Sequence, residues 1–326
     1  MSAALPGGNI ESQRWQGAFV VGTGRCGSTF LSAELNRHEE VLSLSEVFGL
    51  AGGATAFEST GAVFGSQFAD QLCRPAVDAH EILQHGHVSE FGESKLSGKE
   101  SALELVALRL LSGNPAEMLT EIRDHFQRLS MPATVNAHFD QLFLWLCRRL
   151  GRRIWVERSG AAIEYAERLV EHWPKAYWIV LLRDGPDTSL SMSKHPFFRV
   201  RVARLSARRL LSVEECLSGA IPLQRFGLYW STLVIKLERL AGTLRSDRVL
   251  LATFDELINK RRNTLSAIFH LLGVDSPSLA YESGIEAFGP RPISSLSLTE
   301  RLALERACLP GQRAMDRLLR SLPRVT

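Results

Sequence analysis

The sequence predicts an α/β protein in which helices cover both faces of a parallel sheet. Three observations lead to this prediction: short apolar segments alternate with amphipathic ones, a glycine-rich loop follows the first apolar segment, and residues 177–182 are apolar throughout. Continuously apolar strands are typical of parallel sheets that are buried on both faces. Ligands of such sheets bind beyond the carboxyl ends of the strands.

The composition is that of a folded chain. Its 326 residues are 45% hydrophobic and 22% charged, which is enough apolar material for a full core. A net charge of +3 without a lysine-rich run argues against coating of nucleic acid. The five cysteines are scattered, which argues against a disulfide framework or structural zinc. With no apolar run near 18 residues and no signal-peptide pattern, we expect a cytoplasmic protein without a transmembrane segment.

The first predicted unit is a strand at 18–21, a glycine loop, and a helix over FLSAELNRH, followed by a second strand at 41–44. Residues 50–150 have a different pattern, in which loop-like stretches precede amphipathic segments. We interpret this region as a helical insertion within one domain of residues 1–326, forming a lid or a wall of the substrate site. The amphipathic segments lie at 102–111, 116–129 and 139–150.

The alternation of strands and helices resumes after residue 150. Pro186 and Asp187 are typical of a helix start, and Gly273 is typical of a helix end. The predicted strands lie at 152–157, 177–183 and 248–254, and the predicted helices at 163–173, 186–194, 223–241 and 263–273.

The loop after the first strand has the spacing of a phosphate-binding loop but lacks its lysine. Gly22 and Gly27 are placed as in G-x-x-x-x-G-K-[ST], and Ser28 occupies the lysine position. The backbone N–H groups of the loop, the start of the next helix, and the hydroxyls of Ser28 and Thr29 are suited to cradle one phosphate. Arg25 adds a cation inside the loop. Without the lysine or a convincing metal-binding aspartate, a nucleoside triphosphatase lacks two of its parts.

A second anion site is predicted where the apolar strand ends. Arg183 lies at the tip of that strand, and Ser191 follows eight residues later, within about two turns of the next helix start. Together with the loop, this pair indicates a ligand with two separated phosphates. Each feature alone has a structural alternative, which is a glycine turn for the loop and a surface ion pair for the arginine.

These motifs resemble those of a known enzyme family. GTGRCGSTFL resembles the 5′-phosphosulfate loop of the sulfotransferases that use 3′-phosphoadenosine-5′-phosphosulfate (PAPS), and LLRDGPDTSLSM resembles their 3′-phosphate motif. LNRHEEVLSLSEVF is similar to a segment ending in glutamate in the tyrosylprotein branch, WVERSG to W-x-E-K-[ST]-P, and LLATFDELI with LLGV to Y-E-D-L with F-L-G-V. The similarity covers residues 18–48, 153–195 and 225–275.

The resemblance implies a P-loop NTPase-like three-layer fold with a central parallel sheet, plus the helical insertion. It implies transfer of the sulfuryl group of PAPS to a hydroxyl or amine of a small-molecule, carbohydrate or lipid acceptor, with 3′-phosphoadenosine-5′-phosphate (PAP) as product and no metal. The acceptor and the oligomeric state stay open. The implied cofactor-binding residues are Arg25, Cys26, Gly27, Ser28, Thr29, Phe30, Arg183 and Ser191.

The resemblance also implies catalytic roles. Arg25 would neutralise the leaving oxygens, and Glu46 is the first choice for the base that takes the acceptor's proton. Arg158 would support the sulfate oxygens or pair with a carboxylate, and Arg291 with Ser294 would close over the nucleotide unless they belong to an ordinary surface loop. The alternative bases are His85, His87, His138 and His195. Trp155 and Trp230 are expected in the core rather than stacked on adenine.

The sequence departs from the family pattern at several positions. Cys26 replaces a serine, Arg158 a lysine, Gly160 a proline and Phe254 a tyrosine. Cys26 is either a reactive thiolate at a helix start or, as we favour, a small residue that acts through its backbone. Two rival functions stay open: a P-loop kinase or NTPase, and a non-catalytic nucleotide-binding module.

Overall fold

A computed structural model describes residues 17–49, 61–85, 98–160, 162–276 and 296–324 of the chain. Its strands are β1 (Gly17–Gly22), β2 (Val41–Ser45), β3 (Ala62–Val63), β4 (Ala133–Thr134), β5 (Ile154–Arg158), β6 (Tyr177–Leu182) and β7 (Val249–Thr253). Five of them form one fully parallel sheet in the order β2-β5-β1-β6-β7. The short strands β3 and β4 form a separate antiparallel pair.

The α-helices of the described residues surround this sheet and connect its strands. They are α1 (Ser28–Asn36), α2 (Gly65–Leu72), α3 (Val77–His85), α4 (Pro115–Gln127), α5 (Val135–Arg149), α6 (Ala166–His172), α7 (Gly185–Ser193), α8 (Pro196–Ser206), α9 (Val213–Ser218), α10 (Leu223–Ala241), α11 (Phe254–Asn259), α12 (Arg261–Leu272) and α13 (Leu298–Ser321).

Side chains of the sheet alternate between two cores, because successive residues of a strand point to opposite faces. On β1, Ala18 and Val20 belong to the core formed with α1, α11 and α12, whereas Phe19 and Val21 belong to the larger core formed with α5, α10 and α13. The sheet is therefore the middle of three layers. The predicted parallel three-layer architecture is confirmed.

The topology places two loops side by side. β1 and β6 are parallel neighbours, and α1 and α7 begin just beyond their carboxyl ends. The glycine loop and the segment after Arg183 therefore leave the sheet at the same edge. The carboxyl ends of β2 and β5 lie at this edge as well, since Ser45 is in register with Arg158.

The five strands of the parallel sheet appear where the sequence predicts them, within two residues at either end. The helix predicted at 223–241 matches α10, and Gly273 ends α12 with a left-handed φ of 71°. Two expectations are wrong in detail. Residues 103–107 form a π-helix and 108–110 a 3₁₀-helix, and Phe254 begins α11 instead of extending β7. Both segments are so rich in apolar residues that their periodicity alone does not distinguish one type of helix from another, or the end of a strand from the start of a helix.

The described part of the 50–150 region contains α2 to α5 and the β3–β4 pair. Many of its apolar side chains, including Phe68, Phe126 and Phe139, belong to the same buried cluster as Phe19 of β1. Much of this region is therefore anchored to the sheet by shared packing. Within the described ranges, no helix combines the length and apolar character needed to cross a membrane.

Candidate active site

The loop between β1 and α1 has an unusual backbone conformation. Gly24, Arg25 and Gly27 all have positive φ angles, of 72°, 53° and 90°. A Cβ atom on Gly24 would lie 2.4 Å from the ring of Phe198, and one on Gly27 would lie 2.8 Å from the ring of Phe254. Both positions therefore require glycine for two reasons, conformation and space. Arg25 holds a left-handed conformation that is uncommon for a side-chain-bearing residue.

The second predicted motif begins directly after β6. Asp184 caps α7, since its side chain accepts a hydrogen bond from the Asp187 N–H at 3.1 Å. This cap starts the helix so that Ser191 faces the glycine loop, where its Oγ lies 3.2 Å from Arg25 Nε. A guanidinium nitrogen of Arg183 donates to the carbonyl oxygen of Arg25 at 3.1 Å. The structure thus brings together the two motifs, which are 158 residues apart in the chain.

Three cationic side chains converge on this edge of the sheet. Burial lowers the pKa of Arg183, and repulsion from Arg25 acts in the same direction, against attraction from nearby aspartates. The Arg183 guanidinium carbon lies 4.3 Å from the centroid of the Phe254 ring. Arg158, at the end of β5, is 8% exposed and donates to Ser45 Oγ at 3.0 Å. A site that places three arginines close together, with their charge only partly offset by carboxylates, is suited to a polyanionic ligand.

Cys26 lies inside the loop but not as a reactive thiolate. Its side chain is 1% exposed, and burial raises the pKa of its thiol, although hydrogen bonds from the loop backbone oppose the shift. A Cβ atom on Gly22 would lie 2.7 Å from the sulfur, so the thiol fills a tight space under the loop. The structure therefore favours the small-residue interpretation of Cys26 over the redox one.

Glu46 lies just beyond β2, in a turn that also has a left-handed φ, of 56°. Both of its carboxylate oxygens accept hydrogen bonds from the Gly160 N–H at 3.1 Å, and one lies 3.5 Å from a guanidinium nitrogen of Arg158. The Glu46 N–H donates to the Arg158 carbonyl oxygen at 2.9 Å. Arg158 thus connects Glu46 to the carboxyl edge of the sheet, which is where the sequence predicts this glutamate.

The candidate histidines lie in different surroundings. His138 is buried on α5, where its Nε2 lies 2.8 Å from the Val63 carbonyl oxygen, and its Nδ1 has no hydrogen-bond partner among the described residues. His195 precedes α8, and its ring centroid is 5.5 Å from that of Phe198, which packs on Gly24. His85 ends α3. His87, Arg291 and Ser294 lie outside the described residues.

Sequence reasoning placed the two tryptophans correctly in the core, because Trp155 and Trp230 are both buried there. It missed Phe198, which packs against Gly24 of the glycine loop. The two residues are far apart in the sequence, so no local pattern indicates this contact. It also missed Glu157 and Ser159 of the WVERSG segment, which form a buried hydrogen-bond network. Among the described residues, no group of three or more His, Cys, Asp or Glu side chains could hold a metal ion.

A model of the sulfotransferase family matches residues 17–278. No curated protein sequence matches significantly.

The chain is also similar to solved structures of low sequence identity. The sulfotransferase domain from the curacin biosynthetic pathway is 15% identical with a TM-score of 0.51, over 95% of this chain and 100% of that one. The sulfotransferase domain from the Synechococcus PCC 7002 olefin synthase is 17% identical with a TM-score of 0.49, over 96% and 98% of the two chains. A sulfotransferase from Alicyclobacillus acidocaldarius is 16% identical with a TM-score of 0.43, over 94% and 96%.

The family match covers most of the chain and includes both anion motifs. The likeness to the curacin-pathway domain, at 15% identity, is a likeness of fold. The predicted P-loop-like fold and the family resemblance are thereby confirmed: this chain belongs to the sulfotransferase family.

Proposed function

We propose that the chain transfers the sulfuryl group of PAPS to a hydroxyl or amine of a small-molecule, carbohydrate or lipid acceptor and releases PAP. One observation carries this proposal, namely the meeting of the two motifs at 3.2 Å between Arg25 and Ser191 and 3.1 Å between Arg183 and Arg25. PAPS bears phosphate groups on the 5′ and 3′ oxygens of one adenosine. A single donor molecule can therefore engage both motifs.

The residues at this edge fit such a donor. At Gly24 and Gly27 the loop has no space for a side chain, and it leads into the N-terminus of α1, where anions are favoured. Arg158 Nε is buried and has no hydrogen-bond partner within the described parts of the chain. A buried polar group without a partner is costly, so an anion that reached it would be bound favourably.

The two halves of the donor are assigned to different residues. We assign the 3′-phosphate to Arg183 and Ser191. Cys26 and Phe30 would contribute backbone N–H groups to the 5′-phosphosulfate, because their side chains are engaged elsewhere. The Cys26 thiol is buried, and the Phe30 ring packs on the core with the Arg261 guanidinium carbon 5.3 Å from its centroid. The residues assigned to the 5′-phosphosulfate are Arg25, Cys26, Gly27, Ser28, Thr29 and Phe30.

The proposed mechanism divides the work between charge stabilisation and proton removal. In the donor, the sulfuryl group is bonded to a phosphate. This phosphate is a good leaving group, and negative charge builds on it as the bond to sulfur breaks. Arg25, held inside the loop, would neutralise that charge, and fixed donors of this kind contribute about 3–4 kcal/mol each. Glu46 would take the acceptor's proton, with its carboxylate oriented by the Gly160 N–H and by Arg158. Arg158 would also support the sulfate oxygens.

The acceptor is proposed to bind beside the 50–150 region. Helices α2, α4 and α5 of that region pack on the core that also contains Phe48, two residues after Glu46. A wall or lid at this position would determine which hydroxyl or amine reaches the base. We therefore retain the helical insertion as the proposed source of acceptor specificity.

Nucleotide binding tests the two-site proposal. PAP at about 100-fold excess over its Kd should stabilise the protein by about 2.7 kcal/mol, whereas ADP, 5′-AMP and 3′-AMP, which each fill one site, should shift the melting temperature far less. Equal shifts with ADP and PAP would contradict the two-site assignment.

Transfer tests the enzymatic function. PAPS labelled in its sulfur should yield a labelled acceptor from a panel of phenols, sugars, amines and lipids, and the yield should not change with a chelator. ATP turnover that collapses with a chelator would favour the kinase or NTPase alternative, which Ser28 in the lysine position argues against. Tight PAP binding without any transfer would favour the non-catalytic nucleotide-binding module.

A further inference from the structure

Glu157 is a carboxyl group buried in the apolar core beneath the candidate site. It is 0% exposed, and its neighbours in register are Phe19 on β1 and Leu44 on β2. One of its oxygens accepts from the Val47 N–H at 3.2 Å and from the Ser159 hydroxyl, whereas the other has no hydrogen-bond partner among the described residues. A carboxylate anion in such surroundings is costly, so the neutral acid is favoured.

This buried acid is connected to the turn that carries Glu46. The Ser159 hydroxyl donates to Glu157 and accepts from the N–H groups of Phe48, at 3.0 Å, and Gly49, at 3.3 Å. Together with the Val47 bond, Glu157 and Ser159 hold three successive backbone N–H groups of the turn. Glu46, at the start of the turn, has the strained φ of 56°, and such a conformation persists only where its surroundings enforce it.

Two charged groups act on Glu157. The pKa of Glu157 is raised to about 8, chiefly by burial and also by the nearby negative charge of Glu46. The hydrogen bonds from the Ser159 hydroxyl and the Phe48 backbone and the positive charge of Arg158 act in the opposite direction. The sheet neighbours Phe19 and Leu44 and the turn residue Phe48 are uncharged. Like charges on adjacent carboxyl groups disfavour each other, so a neutral Glu157 leaves the negative charge of the pair on Glu46.

We propose that Glu157 is a positioning residue for Glu46: as a neutral acid it fixes the 46–49 turn through Val47 and Ser159, and it leaves Glu46 as the anion that accepts the proton. This inference rests on the proposed function, because it assumes that Glu46 is the base. Ionisation of Glu157 would place a second negative charge in the core beside Glu46 and weaken this arrangement. Turnover should then fall as the pH rises through about 8.

Two variants test the proposal through the pH dependence of kcat. PAP release from PAPS, with water as the acceptor, is measured from pH 6 to 10. Glu157→Gln imitates the neutral acid, so it should keep kcat near pH 7 within about threefold and lose the alkaline decline. Ser159→Ala removes a bond that favours ionisation, so its decline should move to higher pH, with a roughly tenfold lower kcat because the turn loosens.

The control is Glu104→Gln, which removes another carboxyl whose pKa burial raises and whose charged and hydrogen-bonding neighbours all lie outside the 46–49 turn. Its pH profile should match the wild type. An alkaline decline that is unchanged in both Glu157→Gln and Ser159→Ala would overturn the role of Glu157 while leaving the proposed function intact. If Glu157→Gln does not fold, the direction of the Ser159→Ala shift decides. Absence of PAP release and of labelled product from the wild type would overturn the proposed function and this inference together.

Discussion

Arg25 and Arg183 are two cations that the fold holds close together through neutral groups. Arg25 bonds a hydroxyl, and Arg183 bonds a carbonyl oxygen and packs over an aromatic ring. Repulsion between like charges is tolerated here because the backbone of the loop and the Asp184 cap of α7 fix the two positions. An anion that binds between them would relieve this repulsion. Substitution of either arginine should therefore weaken anion binding more than it destabilises the fold.

Substitution of Arg183 should weaken nucleotide binding. Arg183→Ala removes a hydrogen-bond donor to a charged phosphate, which is worth about 1.5–3 kcal/mol, so the Kd of PAP should rise roughly 10- to 100-fold. The control is Arg248→Ala, because Arg248 also lies over an aromatic ring, that of Tyr177 at 5.0 Å, but at the amino end of the sheet. Titration calorimetry with PAP measures both. Unchanged affinity in Arg183→Ala would refute the 3′-phosphate assignment.

Substitution of Glu46 should affect turnover rather than nucleotide affinity. Glu46→Gln keeps the shape of the side chain but removes the base, and general-base catalysis contributes roughly 100-fold or more to the rate. Glu40→Gln is the control, since Glu40 is a carboxylate at the opposite end of β2 that pairs with Arg153 at 2.7 Å. Normal turnover in Glu46→Gln would transfer the role of the base to a histidine, with His195 the first to test.

At the scale of elements, the β1–α1 loop depends on the packing of α8 as well as on its own conformation. Gly24→Ala combines a φ of 72° with a Cβ atom 2.4 Å from the Phe198 ring, whereas Gly151→Ala combines a φ of 66° with open space. A left-handed φ costs a side-chain-bearing residue about 1–2 kcal/mol, and overpacking adds about 1–3 kcal/mol. Urea unfolding should therefore show a larger loss for Gly24→Ala, together with a loss of PAP binding.

A double variant separates the two contributions. The variant Gly24→Ala/Phe198→Ala removes the clash but not the strained φ. It should therefore be more stable than the sum of the two single substitutions predicts, by about the cost of overpacking. Additive effects of the two single substitutions would show that Phe198 does not restrict the loop.

The strands and several helices could be predicted because their signals are local. The apolar run of β6 identifies a doubly buried strand, and Gly273 identifies the end of α12. Other elements have no such signal. Helix α8 carries arginines along a weakly apolar pattern, and α9 is only six residues long; both pack with α3 and with each other. The π-helix at 103–107 is stabilised by its buried position. Tertiary contacts determine such segments, and one sequence does not reveal them.

At the scale of the whole molecule, the candidate site is a property of the sheet edge. The juxtaposition of Arg25 with Ser191 could be predicted, because the carboxyl ends of neighbouring parallel strands meet at one edge. The network of Glu157 and Ser159 beneath it could not, since hydrophilic residues in a buried strand give no indication of which backbone groups they will satisfy. The same network makes global stability depend on pH.

Glu157 should make the free energy of unfolding decrease as the pH rises. Its pKa is about 8 in the folded protein and near 4.5 when exposed, so the folded state binds the extra proton between these values. The stability from this group is fully present below about pH 4.5 and is lost toward pH 8, with a slope of up to about 1.4 kcal/mol per pH unit. Urea unfolding at pH 5 to 9 measures the free energy of unfolding of the wild type and of Glu157→Gln. The advantage of the wild type over the variant should become smaller, or reverse, as the pH rises.

Glu215→Gln serves as a control of opposite sign. Hydrogen bonds with Arg209 and Ser212 lower the pKa of Glu215 to about 2, so its contribution is present above its unfolded value and is lost only as the pH falls toward 2. This pair is solvent-exposed, so the effect should be small, and it should leave the window from pH 5 to 9 unchanged. A pH dependence that is the same in Glu157→Gln and in the wild type would mean that Glu157 is already ionised in the folded protein, and that the core tolerates its charge.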